Sequence, residues 1–200
     1  MEPYEIIAAP FTLWLAPVGE AFPAIDAAPA GNWAKLGGSG GQDYNEEGVT
    51  IVHSQTVETF RGLGSTGPRK AFRTAEDMML RLTLHDISLE QYSQAMGGNA
   101  VAATAAGSGT AGFKAMQLYR GLEVTRFALL ARGSASAYGA GWNSQYEVPA
   151  CFQSGSPEPV FNKGNPAGLA LEFTVLEDPE AASAAARFGR LVMQHQAALA

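Results

Sequence analysis

The chain of 200 residues has the length of about one domain, and 35 positions are Ala, so its 46 % apolar content holds fewer bulky core formers than that figure suggests. Charged residues are only 16 %, with a net charge of −6, against a usual charged share of ~25 %. No apolar run reaches the roughly 18 residues of a transmembrane helix, and the only cysteine, Cys151, excludes an intramolecular disulfide or a thiolate metal cluster.

The first basic residue is Lys35 and Pro10 interrupts the apolar run Ile6–Leu15, so no signal peptide is expected. Phe11–Ala16 reads as a strand closed by Pro17-Val-Gly19, and Trp33–Leu36 as a short second strand after a Pro/Ala connection. Val49–Glu58 is rich in β-branched residues and alternates, which predicts a third strand. A Gly-rich stretch, Gly62–Pro68, follows, and the chain predicts an extended loop at about 60–74. Met78–His85 alternates as a half-buried strand, although Thr74-Ala-Glu-Asp77 could open a helix instead.

Ser88–Met96 predicts a short helix, with Ser88 as N-cap, Gln91 completing a capping box, and Gly97-Gly98 ending it. A flexible Ala/Gly-rich loop is expected at about 97–116, centred on Ala100–Gly112. Leu118–Ala131, Gln145–Phe152 and Ala167–Leu176 read as strands. Asp178-Pro179 then predicts a C-terminal helix over Glu180 to about Gln196, with Phe188, Leu191 and Val192 as its apolar stripe. The expected class is α+β, mainly β: an antiparallel β-sandwich or barrel in one domain, with one short helix between strands and a C-terminal helix.

The charge is polarised along the chain. Residues 1–60 hold eight acids against Lys35 alone, a net −7; residues 61–132 hold nine bases and five acids, a net +4; residues 133–200 hold three bases and six acids, a net −3. Arg61, Arg69, Lys70 and Arg73 form a basic group, and Asp43, Glu46 and Glu47 an acidic one. These are either two solvated loops of opposite sign or complementary surfaces for head-to-tail association. An acidic chain is poorly suited to gripping nucleic acid, because phosphate affinity comes from Lys and Arg.

Signals for catalysis are thin. Gly62-Leu-Gly64-Ser-Thr-Gly67 matches G-x-G-x-x-G, but Pro68, Arg69 and Lys70 follow instead of a helix, and βαβ alternation is missing. His53, His85 and His195 are scattered, without metal-ligand spacing. The adjacent pairs Glu46/Glu47 and Glu76/Asp77 would point to opposite faces of a strand and could not share a proton. Cys151 has no His near it in sequence and is expected to be a buried apolar filler. No catalytic, cofactor-binding or metal-binding residue is predicted.

Several segments, in order, resemble phage major tail tube proteins. They are Phe11–Pro23, Gly31–Gly37, Glu47–Glu58, the basic loop with Ala71–Thr74, Leu82–Tyr92, Phe173–Pro179 and Arg187–Leu191, together spanning nearly the whole chain. The resemblance implies a structural virion protein of a long-tailed phage or gene transfer particle, assembled in the host cytoplasm. It further implies a tail-tube fold and homohexameric rings, whose strands join into a continuous inner barrel. Those rings would stack head to tail around a tape-measure protein, between a tail terminator and distal tail proteins, with DNA passing only in transit. The family's long early loop contacts the neighbouring ring, and Phe60–Thr74 matches it here. On that basis Arg61, Arg69, Lys70 and Arg73, with Asp43, Glu46 and Glu47, are the inter-ring contact candidates. Other readings are a different ring-forming tail or secretion-tube protein, a nucleotide-binding enzyme using Gly62–Gly67, and an adhesion or decoration domain. The low surface charge fits subunit burial, and the acidic net charge fits a conduit along which DNA slides.

Overall fold

In the computed structural model, which describes residues 2–199, the alternating apolar segments assemble into one antiparallel sheet. Its first strands are β1 (Phe11–Pro17), β2 (Ala34–Lys35), β3 (Thr50–Phe60) and β4 (Lys70–Leu84). A helix, α1 (Leu89–Ala95), and a separate hairpin of β5 (Val101–Thr104) and β6 (Phe113–Met116) come next. The sheet resumes with β7 (Arg126–Gly133), β8 (Ser144–Gln153), β9 (Leu169–Val175) and β10 (Arg190–Met193). The strand order is β2-β1-β7-β8-β9-β4-β3, with β10 paired to β8 off this path. One edge of β8 is shared, β10 taking Ser144–Glu147 and β9 taking Cys151–Gln153.

The core lies on one face of this sheet. Leu13 and Leu15 of β1, the row Met78, Leu80, Leu82 and Leu84 of β4, and Leu169, Leu171, Phe173 and Val175 of β9 form a single buried cluster with Leu129, Val148 and Cys151. Strands near opposite ends of the order thus share one core, so the sheet curls around it. The end strands β2 and β3 do not pair with each other, and the curl stays open. On the outer face, Ala16, Trp33, Ala128 and Leu130 pack with Trp14 and Phe22. The Pro/Ala connection before β2 has no sheet partner, so side chains satisfy its carbonyls. Arg132 donates to Ala24 O (2.9 Å) and to Ala27 O, Asn143 to Ile25 O (2.9 Å) and Gln145 to Pro23 O (3.1 Å).

Most predicted strands sit within a few residues of where the alternation puts them, and the mainly antiparallel β class holds. The helix forms as α1, and Gly97 and Gly98 end it at φ +84° and +92°. Its capping box does not form: Ser88 makes no side-chain cap, and the Ser88 N–H goes to Asp86 Oδ1 at 3.0 Å, leaving Gln91 Oε1 buried without a partner. Thr74–Asp77 lies within β4, not at a helix start. The expected loops are shorter than predicted, since β3 runs to Phe60, β4 begins at Lys70, and β5 and β6 occupy both ends of the Ala/Gly-rich stretch. Residues 118–125, expected as strand, carry none.

The C-terminal helix is absent. Residues 180–196 contain only a 3-10 turn, Ala184–Ala186, and β10. The Ala-rich composition favours a helix locally, but Gly189 stands at φ +91° against the Glu147 carbonyl. There it breaks any helical run, while residues 190–193 gain a sheet partner in β8.

One side chain ties the turn after β2 to the core. Tyr44 Oη accepts from Leu13 N–H (3.0 Å) and donates to Leu36 O (2.9 Å), and burial pushes its pKa from 10.0 up to about 12. The neutral phenol is therefore the form that folding favours, and its contribution is complete below pH 10. Stability should fall as pH rises from 10 to 12 in urea titrations, by on the order of 2–3 kcal/mol from this group. Tyr44→Phe, which leaves the Leu13 N–H and Leu36 C=O unpaired, should cost about 1–3 kcal/mol at neutral pH and lose that part of the alkaline fall.

Candidate interaction surface

Strand β4 has two halves of different character. From Met78 to Leu84 it alternates buried and exposed residues and pairs with β9; from Lys70 to Asp77 every residue is exposed. Strand β3 pairs with β4 along its length, with a bulge between Thr56 and Val57, and is exposed from His53 onward. The outer part of this hairpin is an arm that leaves the core with both faces in solvent. Outer residues of β3 have no second sheet neighbour among the described residues, so an 11-residue strand edge is open.

The structure divides the predicted contact residues between the ends of this hairpin. At the tip, Arg61 donates to Thr66 O, Arg69 N–H donates to Phe60 O (2.8 Å), and Lys70 stands opposite Phe60. None of these three cations has an ion-pair partner among the described residues. Arg73 differs: its guanidinium donates to Gln55 Oε1 (2.8 Å) and pairs with Glu76 at 3.0 Å. At the other end, Asp43 closes a 3-10 turn and its carboxylate accepts from Ser39 N–H, while Asp43 O accepts from His85 N–H. Glu46 and Glu47 are exposed in the turn entering β3. Ten residues of extended chain separate Thr50 from Phe60, so the acidic and basic groups lie about 33 Å apart along the hairpin.

Sequence reasoning missed the apolar component of the tip. Phe60, Leu63 and Phe72 are exposed at 58 %, 110 % and 45 % beside the cations. The alternation Lys70, Phe72 across from Phe60 was its available signal, obscured by the glycines between them. The Gly62–Gly67 run forms the tip turn between antiparallel strands, with Ser65 N–H donating to Gly62 O (3.0 Å). It leads into β4 and not into a helix, so it offers no helix N-terminus to a pyrophosphate.

The titratable residues elsewhere are held apart. His53 lies on the arm, His85 approaches Ala167 O at 3.4 Å through Nδ1, and among the described residues no three His, Cys, Asp or Glu side chains are grouped for a metal. Glu147 is buried, receives Gln145 Nε2 and pairs with Arg190 at 2.6 Å, which fastens β10 to β8. Burial holds Arg132 below its ordinary pKa, opposed by the nearby Glu147 and Asp26 charges. No protein-family model matches this chain, and no curated protein matches it.

Cys151 is fully buried in the core, and desolvation pushes its thiol from 9.0 up to about 12. The thiolate is the reactive form, so the native protein should resist iodoacetamide at pH 8 and react fully in denaturant. Mass spectrometry of both samples checks this, and native labelling at the denatured rate would contradict the buried assignment.

Proposed function

We propose that this chain is a structural subunit that self-associates into hexameric rings stacked head to tail, as the tail tube of a long-tailed phage or gene transfer particle. The observation that carries the reading is the β3–β4 arm, exposed on both faces and open along the whole β3 edge. Monomeric proteins shield such edges with bulges, charges or covering loops. Here the one bulge falls at Thr56/Val57, Glu58 is the one acid among Thr50–Phe60, and no Lys, Arg or Pro accompanies it, so the stretch from Thr50 to Thr56 is suited to pairing with another copy.

Charge supplies the direction. The arm carries unpaired cations at its tip and carboxylates at its base, two different surfaces that match each other and not themselves. Contacts of that heterologous kind close into rings or extend into filaments. The resemblance to tail tube proteins adds the ring number, the stacking and the passage of DNA through the lumen. Low overall charge and an acidic balance are compatible with buried subunit faces and with a wall that does not hold phosphates.

Negative-stain electron microscopy of the concentrated protein tests the reading. Long tubes are expected; rings that never stack would favour a tail terminator, and a monodisperse monomer would overturn the proposal. The double reversal Arg69→Glu/Lys70→Glu leaves the Arg73–Glu76 pair untouched and should abolish tubes while keeping the wild-type circular dichroism spectrum. Wild-type tube yield from that variant would remove the tip charges from the assembly contact.

A further inference from the structure

A concavity of about 860 Å³ is distinct from the arm tip and its acidic counterpart. One wall is β4 from Arg73 to Met78, and the other is residues 184–191 leading into β10, with Tyr146 and Val148 of β8 at its floor. Both walls include unpaired backbone. Pairing of β4 with β9 stops at Met79, and β10 pairs only with β8. The cleft is therefore a slot beside open strand edges, with apolar Phe188 and Leu191 along it. Its rim cations are each neutralised within the chain: Arg73 by Glu76 and Arg187 by Glu177, both at 3.0 Å, and Arg190 by Glu147 at 2.6 Å.

The same chain carries an element that lacks what this slot offers. β5 and β6 pair only with each other, and an isolated two-stranded hairpin is marginally stable in water. Its base is anchored, since Lys114 pairs with Glu90 and Asn99 Nδ2 donates to Gln117 O (2.7 Å). Ala102, Ala103 and Thr104 are exposed, Phe113 is 57 % exposed, and no charged residue occurs from Gly97 to Phe113.

We infer that the β5–β6 hairpin of one copy docks in the β4/β10 slot of a second copy, adding a strand at its open edges. Charge selects this occupant over the other projecting element. The β3–β4 tip would bring Arg61, Arg69 and Lys70 into a slot whose carboxylates are already paired with its own arginines, leaving three cations desolvated without a free partner. An uncharged hairpin brings no unpaired ion into the slot, and main-chain hydrogen bonds supply the affinity, as in β-strand addition. The inference rests on the self-association part of the proposed function and assigns it a second contact surface.

Cysteine pairing tests it, because the native Cys151 is buried and silent. Full-length Ser108→Cys is mixed with full-length Ala185→Cys and oxidised, alongside a mixture of Ser108→Cys with Ala28→Cys on the connection across the sheet. Docking should raise the mixed-disulfide yield of the first pair over the second on the order of tenfold, through the local concentration that docking creates. Adding Phe113→Asp to the Ser108→Cys chain should remove that excess. Equal yields for the two mixtures overturn the inference. Electron microscopy of the wild-type protein separates the two claims. Tubes without preferential pairing sink the slot and leave the tube, whereas preferential pairing without tubes or rings does the reverse.

Discussion

The arm that projects from the main sheet depends on β4 being one continuous strand. Its 15 residues span about 50 Å at the usual rise of an extended chain. The inner half is fixed by Met78, Leu80, Leu82 and Leu84, which sit in the same core as β1 and β9. Removing a buried leucine of this kind costs about 2–5 kcal/mol, so the direction of the inner half is strongly determined. The outer half has no core of its own. It inherits that direction through the ladder with β3, whose pairing runs unbroken apart from the bulge at Thr56/Val57. A bulge sharpens twist locally, and it falls where the arm has left the core. The arm is thus rigid where it starts and adjustable where it ends, which suits a contact with another molecule.

The sparse charge is distributed by the same logic. Within the body, ionic groups are consumed by structure: Arg132 straps the Pro/Ala connection, Glu147 and Arg190 fasten β10, and Arg81 pairs with Glu172 across β4 and β9 at 2.8 Å. Among the charges without an ion-pair partner are Arg61, Arg69 and Lys70 at the tip of the hairpin and Glu46 and Glu47 at its base. Exposed ion pairs contribute little to stability, about 0–1 kcal/mol each, so the free charges at the arm are better understood as determinants of partner and orientation than of folding.

Legibility followed the source of each element's stability. β1, β9 and the core half of β4 were readable because one face is buried and the residues alternate accordingly. The outer half of β4 gave no such pattern: Lys70–Asp77 faces water on both sides, so the stretch to Thr74 read as loop and Thr74–Asp77 could open a helix. Residues 180–196 misled in the opposite way. Their Ala content and the Asp178-Pro179 start are real helix signals, but a local preference of tenths of a kcal/mol per residue yields to pairing with β8, and Gly189 sits where a helix would have to pass. For the contact surface, the opposite-signed residue groups were visible as runs in the sequence. The neutralisation of Arg73 by Glu76 was not, because residues three apart on a regular strand face opposite sides, and the register shift that lies between them is a feature of the ladder. The β5–β6 hairpin was invisible for a related reason: Ala, Gly and Thr without polar alternation carry no record of which face is covered.

If the chain assembles as proposed, its two kinds of projection serve growth in two directions. A contact within a ring and a contact between rings bury different surfaces, and each must reject the other's partner. On the proposed reading, charge marks one and the absence of charge marks the other. A basic tip finds no free carboxylate in a slot whose charges are already paired, while an uncharged hairpin gains nothing from exposed Glu46 and Glu47. Specificity of this sort arises from a difference between right and wrong pairings, so it needs few charges if they are placed well. A surface laced with ion pairs would blur that distinction, since every face would offer some attraction to every other. The low charge content is then a condition for ordered growth as much as a sign of burial.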